Sequence, residues 1–96
     1  MRLTEKEKTT IRITAQKFDP NAKVYLYGSR ANDALKGGDI DLIIVSETLT
    51  FSEKLSILVE LKLILGEQKI DLMIANSAKL NSDAFVKSVM GSAILL

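Results

Sequence analysis

The chain has 96 residues, the length of one domain, and Leu, Ile, Val and Phe make up a third of it, enough to expect a folded core. It contains neither Cys nor His, which excludes disulfides, thiolate nucleophiles, Cys/His zinc sites and Ser-His-Asp triads. The net charge of +1 supplies no global field for duplex nucleic acid or an anionic membrane, and the longest aliphatic run, 42–45, is far too short to span a bilayer.

Any chemistry must therefore come from carboxylates, hydroxyls, Lys or Arg, backbone amides and a bound cofactor, and a metal would be a hard ion held by oxygen. The N-terminal stretch lacks the apolar segment of a secretory signal, so a cytoplasmic location is expected. Charge is uneven along the chain. Residues 1–23 carry six basic and three acidic groups, whereas 24–51 carry two basic and four acidic ones.

Thr4 with Glu7 fits a capping box, and Ile11, Ala15 and Phe18 keep one face, so a helix is expected over 5–18. Asp19-Pro20-Asn21 stops it. The β-branched and aromatic stretch 23–27 reads as a strand ending at Gly28, followed over 29–35 by one or two helical turns. Gly37-Gly38 breaks those, and 40–46 is the most strand-like segment of the chain, apolar on both faces after an acidic entry. Thr50 and Glu53 form a second capping box for a helix over 52–65, with Gly66 just past its end. That helix is apolar on more than one face, which fits either deep burial or a partner on its outer side. A third strand is expected over 69–75, and Asn81 or Ser82 is expected to cap a last helix through Met90. The tail Ile94-Leu95-Leu96 is apolar, which suits a partner surface or docking within the chain. The sum is a single α/β domain over 1–96, ordered α-β-(short α)-β-α-β-α, with a three-stranded sheet flanked by helices.

Three features carry candidate chemistry. Gly28-Ser29 follows a strand and opens a short helix, where Gly permits close backbone approach and free N–H groups suit a phosphate; the plainer reading is a strand-to-helix turn. Asp39 and Asp41 alternate along a strand entry and so point to one side, about 7 Å apart along the backbone. Like charges so placed call for a partner, and Mg²⁺ accepts one or two carboxylates while leaving room for substrate phosphates. The plainer reading leaves Asp39 in the turn and Asp41 in solvent. Asp71 lies within an otherwise apolar strand and needs pairing, a metal, or an exposed strand end; Lys69 or Arg30 would serve as an ion-pair partner, and Lys69 reads as a solvated flank.

Together, Tyr27-Gly28-Ser29-Arg30-Ala31, then Gly38-Asp39-Ile40-Asp41-Leu42, then Lys69-Ile70-Asp71-Leu72 resemble the nucleotidyltransferase superfamily of DNA polymerase beta, in its minimal stand-alone branch. The resemblance covers nearly the whole chain. It implies a nucleotidyltransferase core with a mixed sheet, in which Asp39, Asp41 and Asp71 ligate two Mg²⁺ ions and Asp71 also helps activate an acceptor hydroxyl. Gly28 and Ser29, with Arg30 assisting, would hold the triphosphate of ATP or another NTP. The reaction would be in-line attack on the α-phosphorus with loss of pyrophosphate. The same resemblance implies a small helical-bundle, HEPN-like partner or self-association, AMP transfer, and an antitoxin role. Gly38 stands where many relatives carry Ser, and the loop before Asp39 is often one residue longer in them. The alternative expectation is a non-catalytic module that binds a partner and a nucleotide on the same fold.

Overall fold

The structure is a computed structural model that describes residues 2–32 and 38–96. Helix α1 (Glu5–Phe18) begins at a complete capping box, with the Thr4 hydroxyl accepting from the Glu7 N–H and the Glu7 carboxylate accepting from the Thr4 N–H. Strand β1 (Lys23–Tyr27) leads into a 3₁₀ turn (Gly28–Ala31), which is the described part of the stretch expected to be helical; residues 33–37 lie outside the described residues. Strand β2 (Ile40–Val45) is followed by helix α2 (Phe51–Leu65), again opened by a capping box, between Thr50 and Glu53. Gly66 ends α2 at φ 78°, a left-handed value that disfavours any residue with a Cβ.

Strand β3 (Ile70–Ala75) runs into two short helices where one was expected, α3 (Ser77–Ser82) and α4 (Ala84–Met90). The caps are Asn76 and Asp83 rather than Asn81 or Ser82. Asp83 takes an extended backbone (φ −87°, ψ 118°), and its side chain accepts from the Val86 N–H, so it stops one helix and starts the next. The sheet also has one strand more than expected. The tail forms β4 (Ile94–Leu95), antiparallel to β1 with Leu26 opposite Ile94, and the Leu96 N–H donates to Val24 O at 2.9 Å. An apolar tail of three residues is too short to show strand periodicity, but the open edge of β1 offers unpaired backbone groups that it satisfies.

Strand order is β3-β2-β1-β4, with β1 antiparallel to β2 and β2 parallel to β3, a mixed sheet. Its two faces are packed differently. Val24, Leu26, Ile40, Leu42, Ile44, Ile70 and Leu72 face α1 and α2, meeting Ile11, Ala15, Ile57 and Leu61 in the main core. On the other face Ile43, Ala75 and Val86 form a smaller core, with Tyr27, Val45 and Met73 against it. Among the described residues the smaller core stops short of one end of that second face, and there Asp41 and Asp71 stand.

Candidate active site

Register creates the site. Tyr27 lies opposite Asp41 in the antiparallel pair, and Asp41 lies opposite Asp71 in the parallel pair. The row Tyr27–Asp41–Asp71 thus crosses three strands on the face shared with Ile43 and Ala75, because residues two apart on a strand share a face. Asp71, 30 positions beyond Asp41 in sequence, becomes its lateral neighbour.

Electrostatics follow from that placement. Burial, a hydrogen bond to the Asp71 carboxyl, and the charges of Asp71 and Asp39 push the Asp41 carboxyl above its ordinary range, with Lys69 opposing. Tyr27 is likewise pushed up, first by burial and then by Asp41 and Asp71, so its phenol stays neutral. Asp39 sits just ahead of β2 and half-exposed, with its carboxylate 3.6 Å from Lys69 Nζ. Asp41 and Asp71 are therefore brought together, while Asp39 faces a lysine. Among the described residues no group of three acids is gathered closely enough to hold a metal ion.

Gly28 adjoins the pair. Its φ is 76°, and a Cβ there would lie 3.3 Å from Asp41 Cγ and collide with Oδ2. The absent side chain is what lets the 3₁₀ turn, with Ser29 in it, start directly beside the Asp41 carboxylate.

The opposite end of the sheet offers a contrast. A cavity of about 320 Å³ there is lined by Asp19, Ser46, Glu47 and Ser77 among others. Its acids are satisfied. Asp19 accepts from the Ser46 hydroxyl at 2.5 Å and from the Asn21 N–H at 2.9 Å, and Glu47 accepts from the hydroxyl and N–H of Ser77. These hydrogen bonds hold both carboxyls below their ordinary range. Acids that structure has stabilised as anions have no need of a cation. Asp41, pushed the other way by burial and then by the Asp71 and Asp39 carboxylates, has no such stabilisation.

Asp41 and Asp71 present hard oxygen donors on one open face, so the pair fits Mg²⁺, which uses one or two carboxylates and completes its shell with water and phosphate oxygens.

A family model described as "Polymerase beta, Nucleotidyltransferase" matches residues 8–96. The chain belongs to the polymerase beta nucleotidyltransferase family. A search of curated proteins found no match. The family supports a nucleotidyltransferase-type activity in general, and the four-stranded mixed sheet flanked by helices is consistent with its fold.

Within this nucleotidyltransferase domain, Arg30 is a brace. Its guanidinium donates to Gly38 O at 2.9 Å, Gln68 Oε1 at 2.8 Å and Arg2 O at 3.2 Å. Gln68 passes the link on, donating to Leu65 O and to Glu7 Oε2, both at 3.1 Å. The residue before Asp39 is thereby tied to the end of α2 and the start of α1. Lys69 is engaged with Asp39 and Arg30 with the brace, so neither stands as the expected ion-pair partner of Asp71. Sequence reasoning gave no role here to Tyr27, though it opens the Gly28 motif, or to Gln68 beside Lys69, and read Glu7 as a capping residue alone.

Proposed function

We propose that this domain transfers a nucleoside monophosphate, AMP from ATP, onto a hydroxyl acceptor in a Mg²⁺-dependent reaction. The Asp41–Asp71 pair beside Gly28 carries the reading, because there, among the described residues, the fold sets two carboxylates against each other. Bound Mg²⁺ would neutralise phosphate charge and stabilise the attacking and leaving oxygens. Asp41 and Asp71 would hold a first ion, and Asp39, released from Lys69, would complete a two-ion set. Gly28 and Ser29 would receive the triphosphate at the turn, and Arg30 would fix the loop that carries Asp39. Asp71, the more exposed of the facing pair, would take the proton of the acceptor hydroxyl as its oxygen bonds to the α-phosphorus. The bond from that phosphorus to the bridging oxygen breaks, and pyrophosphate leaves.

The acceptor would come with a partner protein. Leu55, Val59, Leu63 and Ile64 of α2 are exposed while Ile57 and Leu61 are buried, so the helix presents a second apolar surface that suits a small helical-bundle, HEPN-like protein or a second copy. AMP placed on such a partner would make this chain an antitoxin.

The test is incubation with α-labelled ATP, Mg²⁺ and the neighbouring gene's product. Label should pass to the acceptor, and Asp41→Asn should abolish it. No transfer from any NTP, together with Asp39→Asn behaving as wild type, would end the enzymatic reading. The second reading, a partner- and nucleotide-binding module without turnover, draws on the contact of Asp39 with Lys69 in place of a gathered trio. Under it, an Asp41→Asn chain would bind and neutralise its partner in full.

A further inference from the structure

The proposed reaction accounts for the acids and the turn but leaves an aromatic pair unused. Tyr27, which stands in the same row as Asp41 and Asp71, meets Phe85 of α4 edge-to-face, with ring centroids 6.2 Å apart and planes at 81°. Phe85 is 52% exposed, whereas its neighbour Val86 is fully buried. Helix α4 is thus anchored through Val86 and carries Phe85 outward over Tyr27. An edge-to-face pair in which one ring is half in water keeps apolar aromatic surface available beside the acids.

We infer that Tyr27 and Phe85 form the nucleobase subsite of this nucleotidyltransferase, with the base of the NTP stacking on Phe85 while its triphosphate meets the Gly28 turn. This rests on the transfer reading above. Chain connectivity supports the assignment, since Tyr27 immediately precedes Gly28, so the aromatic pair and the turn proposed to take the phosphates are adjacent. Stacking on an aromatic ring tolerates any base, so the subsite provides affinity with little selection between purines and pyrimidines.

The test is equilibrium binding of Mg²⁺-ATP and of Mg²⁺-tripolyphosphate, which lacks base and sugar, to the full chain. Phe85→Ala should weaken ATP binding roughly 5- to 100-fold, the loss expected for one stacked base, and leave tripolyphosphate binding unchanged. Phe85→Trp should restore ATP affinity, and Phe51→Ala, which removes an exposed ring on α2, should have no effect. ATP binding unchanged in Phe85→Ala overturns the inference, as does an equal loss for both ligands. So does normal binding of both with loss only of transfer, which would assign the pair to the acceptor. A wild-type chain that binds neither ligand removes the transfer reading itself and this subsite with it.

Discussion

Asp41 and Asp71 face each other across adjacent parallel strands, where burial and neighbouring charge push the Asp41 carboxyl up while hydrogen bonds hold that of Asp19 down. Like charges directly opposite in a sheet destabilise it, and an acid so perturbed in a cleft is a candidate for binding or catalysis.

The first prediction concerns pH. Asp41 has a folded-state pKa above its unfolded value, so its contribution to stability is present at low pH and lost as pH rises through the raised value. Asp41→Asn should therefore be more stable than wild type at pH 7, by about 0.2–1 kcal/mol for a solvent-screened cross-strand pair. The gain should vanish below the ordinary carboxylate range. Urea denaturation at pH 7 and pH 3.5 reads both; a variant less stable at pH 7 would contradict the crowding.

Added Mg²⁺ provides a second measurement. At neutral pH it should raise the melting temperature of wild type and leave that of Asp41→Asn unmoved, because removing one carboxylate removes the site's charge excess. Equal shifts in both chains would show that the cation binds elsewhere.

Gly28→Ala should cost stability and disable the site together. A positive φ strains an alanine by about 1–2 kcal/mol, and the added Cβ would also push the Asp41 carboxylate out of place. A melting temperature and Mg²⁺ response equal to wild type would refute the close approach of turn and acid.

Arg30 should behave as a brace. Arg30→Gln removes charged hydrogen bonds to Gly38, Gln68 and Arg2 and should lower stability by about 1.5–3 kcal/mol. Lysine carries the charge but lacks the planar fork, so Arg30→Lys should recover only part of the loss. Thermal melts of the three chains decide it.

Helix α2 separates core from surface. Leu61 is fully buried and Leu61→Ala should cost about 2–5 kcal/mol, whereas Leu63, 80% exposed, should accept Glu within about 0.5 kcal/mol. Leu63→Glu should instead weaken capture of the partner or second copy, measured by co-purification. Intact capture would place the docking surface off this helix.

Much of this molecule could be read along the chain, because the deciding interactions are local. Both capping boxes, the stop at Asp19-Pro20-Asn21 and the strand of alternating and apolar residues that begins at Ile40 follow from residues within four positions of one another. The three acids were visible as candidates for the same reason: Asp41 and Asp71 are charges set in apolar strands, and Asp39 alternates with Asp41 at the strand entry. Register was not visible. Asp71 meets Asp41 only because α2 carries the chain back to lay β3 parallel to β2 in one alignment; a slip of one residue would have sent Asp71 into the main core. The brace joining Arg30 to Gln68, the ring of Phe85 over Tyr27, and the tail laid along β1 are likewise contacts between residues far apart in sequence. Residues read along the chain show which side chains carry charge and where α1, α2 and the first three strands lie, but not the caps at Asn76 and Asp83 or the strand β4. Tertiary structure decided which charges share a face, because strand alignment depends on packing the whole sheet against α1 and α2, and no short stretch of residues encodes that.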